Sequence, residues 1–549
     1  LLHTSLAATL GACGGDGADS AGLSADSGTG ASSSSGGTGG GGTINNSGGS
    51  FSTGGSGGKS GPGTGGTSGS GGNEPEPPPP EQELESAFEA PVATDRYVWT
   101  ANPTTGRVAL IGAHDLSVRL AEAGVAPTTV AALPGSEDED SAIVLNRGSD
   151  DATILRVGAD GEIESTRLTT HSGANAVEVS PQGKWVIIWT HAALFGTTPL
   201  DPTDGLQDVT VVKLGDEPET TELSVGYRPS QIAFDADEEH AFVVTEPGLT
   251  VLDLTGEPVP ERLIELTDNP ITDQAARDVN VTPDGQRAVV RVEGERSLGV
   301  VDLATGERKS VDLGDFVTDL DLSADGSRAF AIAGGELVVV PIPPGDADPS
   351  TFARASAPGE VARSVSLSPD ASLALVYSNA ESNPYLGILS SSGDWSEFEA
   401  RAVDLKAPVR AAFASPDARH GIAFQTTAPT STKGGAFSIV SADLDRAPKV
   451  IGTDAPPFAL AFSPEGGEAV IATRDLVKKS YGMYLVHLAR LEQTFIKLSS
   501  PPLAAGNVPT ANPAFVAQAH PEGRITFVDL DDGSQHTLTG FELAAEVTQ

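Results

Sequence analysis

Cysteine occurs once in the 549-residue chain, at Cys13. A single thiol excludes an intrachain disulfide and any zinc or redox centre built from cysteines. Basic residues are scarce: 33 Lys and Arg stand against 75 Asp and Glu, a net charge of −42. Nucleic-acid binding needs a basic footprint, and no cluster of Lys and Arg supplies one. Direct adhesion of the folded part to anionic lipid is disfavoured for the same reason, and the acidic surface reads as a means of solubility and mutual repulsion. The densest acidic run, Glu137-Asp-Glu-Asp140, lacks the Asp-x-Asp-x-Asp-Gly spacing of a calcium loop. Beyond the Gly/Ser-rich segment described next there is no Gly-x-Ser-x-Gly elbow and no His-Glu-x-x-His helix, and the nine His are scattered singly.

Core-forming side chains are nearly missing from residues 14–72, which are Gly, Ser, Thr, Ala and Asp almost throughout. Such a segment cannot offset its ordering entropy and reads as a flexible tether, with an end-to-end distance on the order of 40–45 Å. It leads into Asn73-Glu-Pro-Glu-Pro-Pro-Pro-Pro80, a stiffer polyproline spacer, and the acidic Glu81-Gln-Glu-Leu-Glu85. The chain thus divides into an N-terminal segment (1–12), a linker (13–90) and one large folded region (91–549), which is ample for a sizeable core.

The folded region is periodic. Asp278-Val-Asn-Val-Thr-Pro-Asp-Gly-Gln-Arg-Ala-Val-Val-Arg-Val292 reads as a strand, a tight turn and a second strand; Gly299–Glu307 adds a third strand ending in another turn. In Thr282-Pro-Asp-Gly285 a hydroxyl residue, a Pro with φ pre-set and a final Gly fit a type I turn. Equivalent landmarks fall at Leu133, Ser180, Asp235, Thr282, Ser323, Ser368, Ser415 and Ser463. Close copies of the turn are Ser180-Pro-Gln-Gly183, Ser323-Ala-Asp-Gly326, Ser368-Pro-Asp-Ala371, Ser415-Pro-Asp-Ala418 and Ser463-Pro-Glu-Gly466. A period of about 40–50 residues holding four short strands is the signature of propeller blades. Apolar spacing of two excludes helical repeats of similar length. Eight blades are clear. Tyr97–Leu120 reads as a blade lacking its first strand, and Ala514–Phe541 as another three-strand unit whose missing inner strand Leu543–Thr548 could supply. The expected fold is all-β, a single β-propeller of eight to ten four-stranded blades behind a disordered tether.

Third strands such as Val300-Val-Asp-Leu-Ala-Thr-Gly306 and Val528-Asp-Leu-Asp-Asp-Gly533, with the Ser-Pro-Asp-Gly turns, give a chain that resembles bacterial propellers of the TolB and YVTN type. Tyr97-Val-Trp-Thr-Ala-Asn102 echoes the YVTN motif itself, whereas none of the four Trp follows the Trp-Asp pattern of WD40 arrays. At the N-terminus, Leu10-Gly-Ala-Cys13 resembles the lipobox of bacterial lipoprotein signal peptides. That resemblance implies cleavage before Cys13, acylation of Cys13 and a lipid anchor. The preceding apolar run is too short to span a bilayer. The chain opens on Leu with no basic n-region, a departure that points to a truncated or misplaced start. Gly14 after the cysteine implies the outer membrane under the enterobacterial sorting rule.

Turns between first and second strands, and between third and fourth, are tight, so one face of the ring reads as trimmed. The long insertions, His191–Gln207, Asn379–Tyr385, Thr426–Gly434 and Asp475–Tyr481, all read as lying between second and third strands on the opposite face. Length variation on one rim of a rigid scaffold marks a place for a site. Its binding candidates are His191, Phe195, Asp201, Asp204, Tyr385, Lys433, Lys478, Lys479 and Tyr481, and no catalytic residue, metal ligand or cofactor is assigned. Asp302-Leu-Ala-Thr-Gly306 is similar to the quinoprotein Asp-x-x-Thr-Gly repeat, but the Trp that follows in that family is absent. The expected function is a membrane-anchored, monomeric, non-catalytic binding or scaffold module for an envelope protein or surface ligand. The alternative is a propeller enzyme, lactonase-like or another metal-dependent hydrolase, with its site at the channel mouth. Convergent carboxylates, Asn or His at the mouth would favour the enzyme, and an apolar or Gly/Ala-lined channel the binding module.

Overall fold

The computed structural model describes Gly49–Ser50 and residues 91–541, apart from 135–139, 159–160, 196–204, 267–276, 357–361, 380–382, 394, 428–430, 444, 510–511 and 521. Ten antiparallel sheets follow one another along the chain, each with four strands in sequence order from the innermost outward; in the ninth, Gly49–Ser50 pairs with Ala459 and Leu460 as a fifth, inner strand. They span residues 92–122, 127–169, 176–224, 231–265, 277–312, 317–355, 364–404, 409–453, 457–497 and 502–539, and are numbered here as blades one to ten. The eight landmark turns close the first hairpins of blades two to nine.

Middle strands are apolar almost throughout because each blade is packed on both faces. Trp185–Trp189 of blade three and Gly435–Ser441 of blade eight are buried at every position. Outer strands face solvent on one side, and Glu219–Ser224 alternates between exposed and half-buried accordingly. The molecule has no single centre. Its ten apolar clusters each bridge one pair of neighbouring blades, so the core is a circuit of seams.

The ends differ from the sequence expectation. Blade one has its own inner strand, the two-residue Val92–Ala93, which pairs with Val98–Trp99. Blade ten likewise has Pro502–Asn507 inside Pro513–Gln518, so no strand from the C-terminus is needed; Leu543–Thr548 lies outside the described residues. The ring closes by faces rather than by a shared strand. Val98 and Ile111 of blade one pack against Phe515, Ile525 and Phe527 of blade ten. Apolar area buried at a seam stabilises closure without edge pairing.

The landmark turns have a common construction. Gly285 N–H donates to the Thr282 carbonyl (2.8 Å), and the Thr282 hydroxyl meets Asp284 (2.5 Å) and accepts from Arg287 N–H (3.0 Å). Ser323 and Ser368 repeat this with Asp325 and Asp370, each at 2.6 Å. The closing residue is left-handed in the described turns: Gly285 at φ +65°, Gly326 at +68°, and even Ala371 at +53° and Ala418 at +56°. Gly285 has a second constraint, since a Cβ there would lie 2.7 Å from Asp235 Cβ in the turn of the preceding blade. Successive turns therefore nest around the trimmed face.

Candidate functional site

Loop lengths are only partly as expected. Residues 190–207 of blade three, 378–384 of blade seven and 426–434 of blade eight do separate second from third strands. Asp475–Tyr481 is no loose insertion: Glu468–Asp475 and Ser480–His487 are eight-residue strands joined by Leu476–Lys479 alone. One long connection, 342–352 of blade six, joins a third strand to a fourth and so lies on the trimmed face. Polar side chains there fold it locally, as Asp348 accepts from Ser350 N–H at 3.0 Å.

On the trimmed face several cations join neighbouring blades. Arg156 of blade two donates to the Gly215 carbonyl in the third-to-fourth-strand turn of blade three (2.6 Å). Lys449 of blade eight does the same to Leu491 of blade nine (2.6 Å), and Arg401 of blade seven to Ser441 and Asp443 of blade eight (both 3.3 Å). Arg119 reaches Gly161, Arg262 reaches Leu303 and Arg328 reaches Gly393 in the same sense. A shallow cleft of about 370 Å³ beside Arg262 and Arg308, at the seam of blades four and five, belongs to this clasp. The quinoprotein-like motif is also structural: Asp302 Oδ1 accepts from Ala304 N–H, Thr305 N–H and the Thr305 hydroxyl (2.9–3.1 Å). Those bonds hold its carboxyl below the usual range, led by the one from Thr305 N–H.

The inner strands show two kinds of wall. Blades eight to ten carry Ala411-Ala412, Ala459, Ala461 and Ala504-Ala505-Gly506. Blades five to seven carry Asp278, Asn280, Asp319, Asp321, Ser364 and Ser366. Most of these acids are spent on the fold. Arg291 is paired with Asp278, and Asp319 Oδ2 accepts from Val365 N–H of blade seven at 2.7 Å. Asn280 donates to Leu320 O (3.4 Å), and Ser366 accepts from Ala414 N–H (3.2 Å), each stitching one inner strand to the next. Asp321 differs: its side chain is half-buried, and enclosure by protein, then the charges of Asp319 and Asp278, push its carboxyl well up. Glu178 of blade three is buried, and burial alone raises it well above the usual range. Among the described residues no three of His, Cys, Asp and Glu converge as cation ligands.

The sequence candidates are spread around the opposite face instead of meeting in one pocket. His191 N–H donates to Asn175 Oδ1 (2.7 Å), and the Asn175 amide donates back to His191 O (3.1 Å). Burial lowers the His191 imidazole pKa, against a bond to the Ser230 backbone, so this side chain fastens the seam to blade four in its neutral form. Phe195 ends a short 3-10 turn, Ala192–Phe195, and Asp201 and Asp204 lie outside the described residues, as does Cys13. Tyr385 opens the third strand of blade seven and is 39% exposed. Lys433 Nζ pairs with Asp454 at 2.7 Å. Lys478 and Lys479 sit in the tip of the blade-nine hairpin, while Tyr481 on its flank packs into the seam with blade ten. Only blades seven, eight and nine bring candidates side by side.

Exposed apolar side chains mark the same face. Val125, Tyr227, Tyr385, Leu476 and Val477 are exposed in its loops or at their edges, and Val259, Leu263, Val450 and Phe495 on outermost strands. None of those large exposed apolar residues lies in a turn of the trimmed face. Leu476 and Val477 are not among the sequence candidates, although Leu-Val beside Lys-Lys in a turn is itself a signal.

Ten closed blades define an all-β repeat protein of the β-propeller class. Residues 204–423, from the blade-three insertion into the second strand of blade eight, match the family model of the lipoprotein LpqB beta-propeller domain. Over that stretch the chain is similar to the propeller domain of that lipoprotein family. No curated protein matches the chain. Among solved structures it is similar to the dihydro-heme d1 dehydrogenase NirN in complex with DHE (15% identity, 74% of this chain and 75% of that one, TM-score 0.43). It is similar also to a eukaryotic initiation factor (12%, 71% and 96%, TM-score 0.44) and to Kuenenia stuttgartiensis hydrazine synthase (15%, 57% and 95%, TM-score 0.30). Likeness at this level carries no argument about chemistry.

Proposed function

We propose that this protein is a lipid-anchored envelope module whose propeller binds a partner, without catalysis, through the face that carries the insertions. The observation behind this reading is the division of the exposed apolar side chains among the described residues: Val125, Tyr227, Leu476 and Val477 lie in loops of that face, with Tyr385 at a strand end beside one, and none lies in the turns opposite, which Val259 borders. Apolar and aromatic residues anchor interfaces, whereas turns nested for stability have little left to offer a ligand. The commitment of Asp278 and Asp319 to structural bonds favours binding over a channel-mouth hydrolase. The lipobox-like Leu10-Gly-Ala-Cys13 supports acylation at Cys13, and Gly14 after it supports residence at the outer membrane.

Two measurements test this. In cells given a complete signal sequence, Cys13→Ser should move the protein from the membrane to the soluble fraction. A photo-crosslinking residue at Tyr227 or Tyr385 should capture a discrete envelope partner, and one in the Ser323–Gly326 turn should not. Equal capture from both faces would remove the basis of the assignment.

A further inference from the structure

The polarity of the chain fixes where the ring meets its tether. First-to-second-strand turns lie on the trimmed face, so each inner strand, Val92–Ala93 included, starts from the insertion face. The folded ring therefore begins at Pro91 on the insertion face, in the blade that closes on blade ten. One blade further round stands the hairpin of blade nine, whose eight-residue strands are the longest among the described residues. Its tip is open to solvent, with Leu476 59% and Val477 94% exposed.

This finger is built to hold its shape. At its base the Arg474 guanidinium lies 4.3 Å from the centre of the Phe458 ring and donates to Pro502 O of blade ten at 3.2 Å. At the tip, Asp475 Oδ1 accepts from Lys478 N–H (2.8 Å), Oδ2 lies 3.5 Å from Lys478 Nζ, and Lys479 takes φ +52°. Two apolar side chains and two ammonium groups thus project together from a chain of net charge −42.

We propose that the insertion face is the membrane-facing side of the ring and that the tip Leu476–Lys479 is its lipid contact. Leu476 and Val477 enter between the headgroups, and Lys478 and Lys479 lie against anionic ones. The proposal rests on the lipid-anchored reading above. Charge complementarity is local: at physiological salt the Debye length is about 8 Å, so acidic groups elsewhere on the ring are screened from a surface the tip touches. A four-residue tip is far below the ~1,200 Å² that a specific protein interface buries. A bilayer accepts a small wedge with flanking lysines, and a tether supplies the proximity that a weak contact lacks.

The test uses the full chain carrying Cys13→Ser, so that acylation contributes nothing, floated with vesicles of phosphatidylethanolamine and phosphatidylglycerol or of phosphatidylcholine alone. Flotation is expected with the phosphatidylglycerol vesicles only, weakening as salt rises. Val477→Asp, and Lys478→Glu with Lys479→Glu, should each lower the bound fraction severalfold. Lys309→Glu, whose ammonium pairs with Asp346 near the other face, should leave it unchanged. Val477→Trp should shift its emission to the blue on the same vesicles. Absence of flotation, or flotation indifferent to the tip variants, overturns the proposal, as does a tip-dependent complex with a soluble acidic protein in place of vesicle binding. Cell fractionation of Cys13→Ser after a high-salt wash, which releases the tip, reports on the anchor alone, so failure of the anchor and failure of the tip are separable.

Discussion

At the scale of single residues, positions of one type divide into those the backbone demands and those the environment titrates. Gly285 is demanded twice, by φ +65° and by the approach of Asp235 Cβ. Gly285→Val should cost about 2 kcal/mol or more, since a β-branched side chain there adds strain to a steric conflict. Chemical denaturation measures this, and an unchanged midpoint would mean that the turns do not nest. Asp321 and Glu178 are the environmental cases, both carboxyls raised by enclosure. A raised folded-state pKa means that the folded ring holds the proton more tightly than the unfolded chain does. Their contribution to stability is therefore complete below the unfolded carboxyl pKa and is lost as pH rises through the raised value. Asp321→Asn removes the titration, so its melting temperature should exceed that of the parent on the alkaline side and converge with it in acid. The hydrogen-bonded turn carboxylates act in the opposite sense. Asp325, lowered first by the Ser323 hydroxyl bond, withdraws its stabilisation as pH falls, so the whole ring should weaken at both extremes.

At the scale of elements, each blade is a local product of its own sequence, whereas the joint between blades is not. Turn chemistry sits within four or five residues, which is why eight landmark turns could be found by their spacing. The inter-blade clasps span about forty residues or more, as in Arg156 to Gly215 or Arg401 to Ser441. No local pattern distinguishes such an arginine from a solvated one on an outer strand. Replacing Arg401 by Met keeps its stem over the seam and removes its donors. The expected loss is about 1–2 kcal/mol, that of a charged hydrogen bond to carbonyl oxygens, and urea titration checks it. The candidate site divides in the same way. His191, a candidate by its place in an insertion, is fixed to Asn175 and half-buried at a seam; Val477, no candidate by sequence, is the most exposed of the large apolar residues described.

At the scale of the whole molecule, ten equivalent seams make a closed circuit in which one differs by being crossed by no continuous chain. The seam of blades one and ten carries Phe515, Phe527, Phe541 and their apolar partners. Phe515→Ala should destabilise the ring by about 3–5 kcal/mol through the cavity it leaves. Amide hydrogen exchange should then rise first in blades one and ten, and a uniform rise around the ring would argue against a distinct closing seam. The sequence by itself determined the all-β class, the blade period and the tight turns, because each is written in neighbouring residues through turn chemistry and apolar spacing. It left the first and last blades incomplete, since the two-residue strand Val92–Ala93 is too short to carry a pattern and becomes a strand only by pairing with Val98–Trp99. Tertiary structure alone decided the count of ten, closure by faces, the commitment of scarce cations to clasps and the presentation of the blade-nine tip. Each of these depends on which surfaces remain after distant segments have packed against one another, and that balance of burial has no local signature.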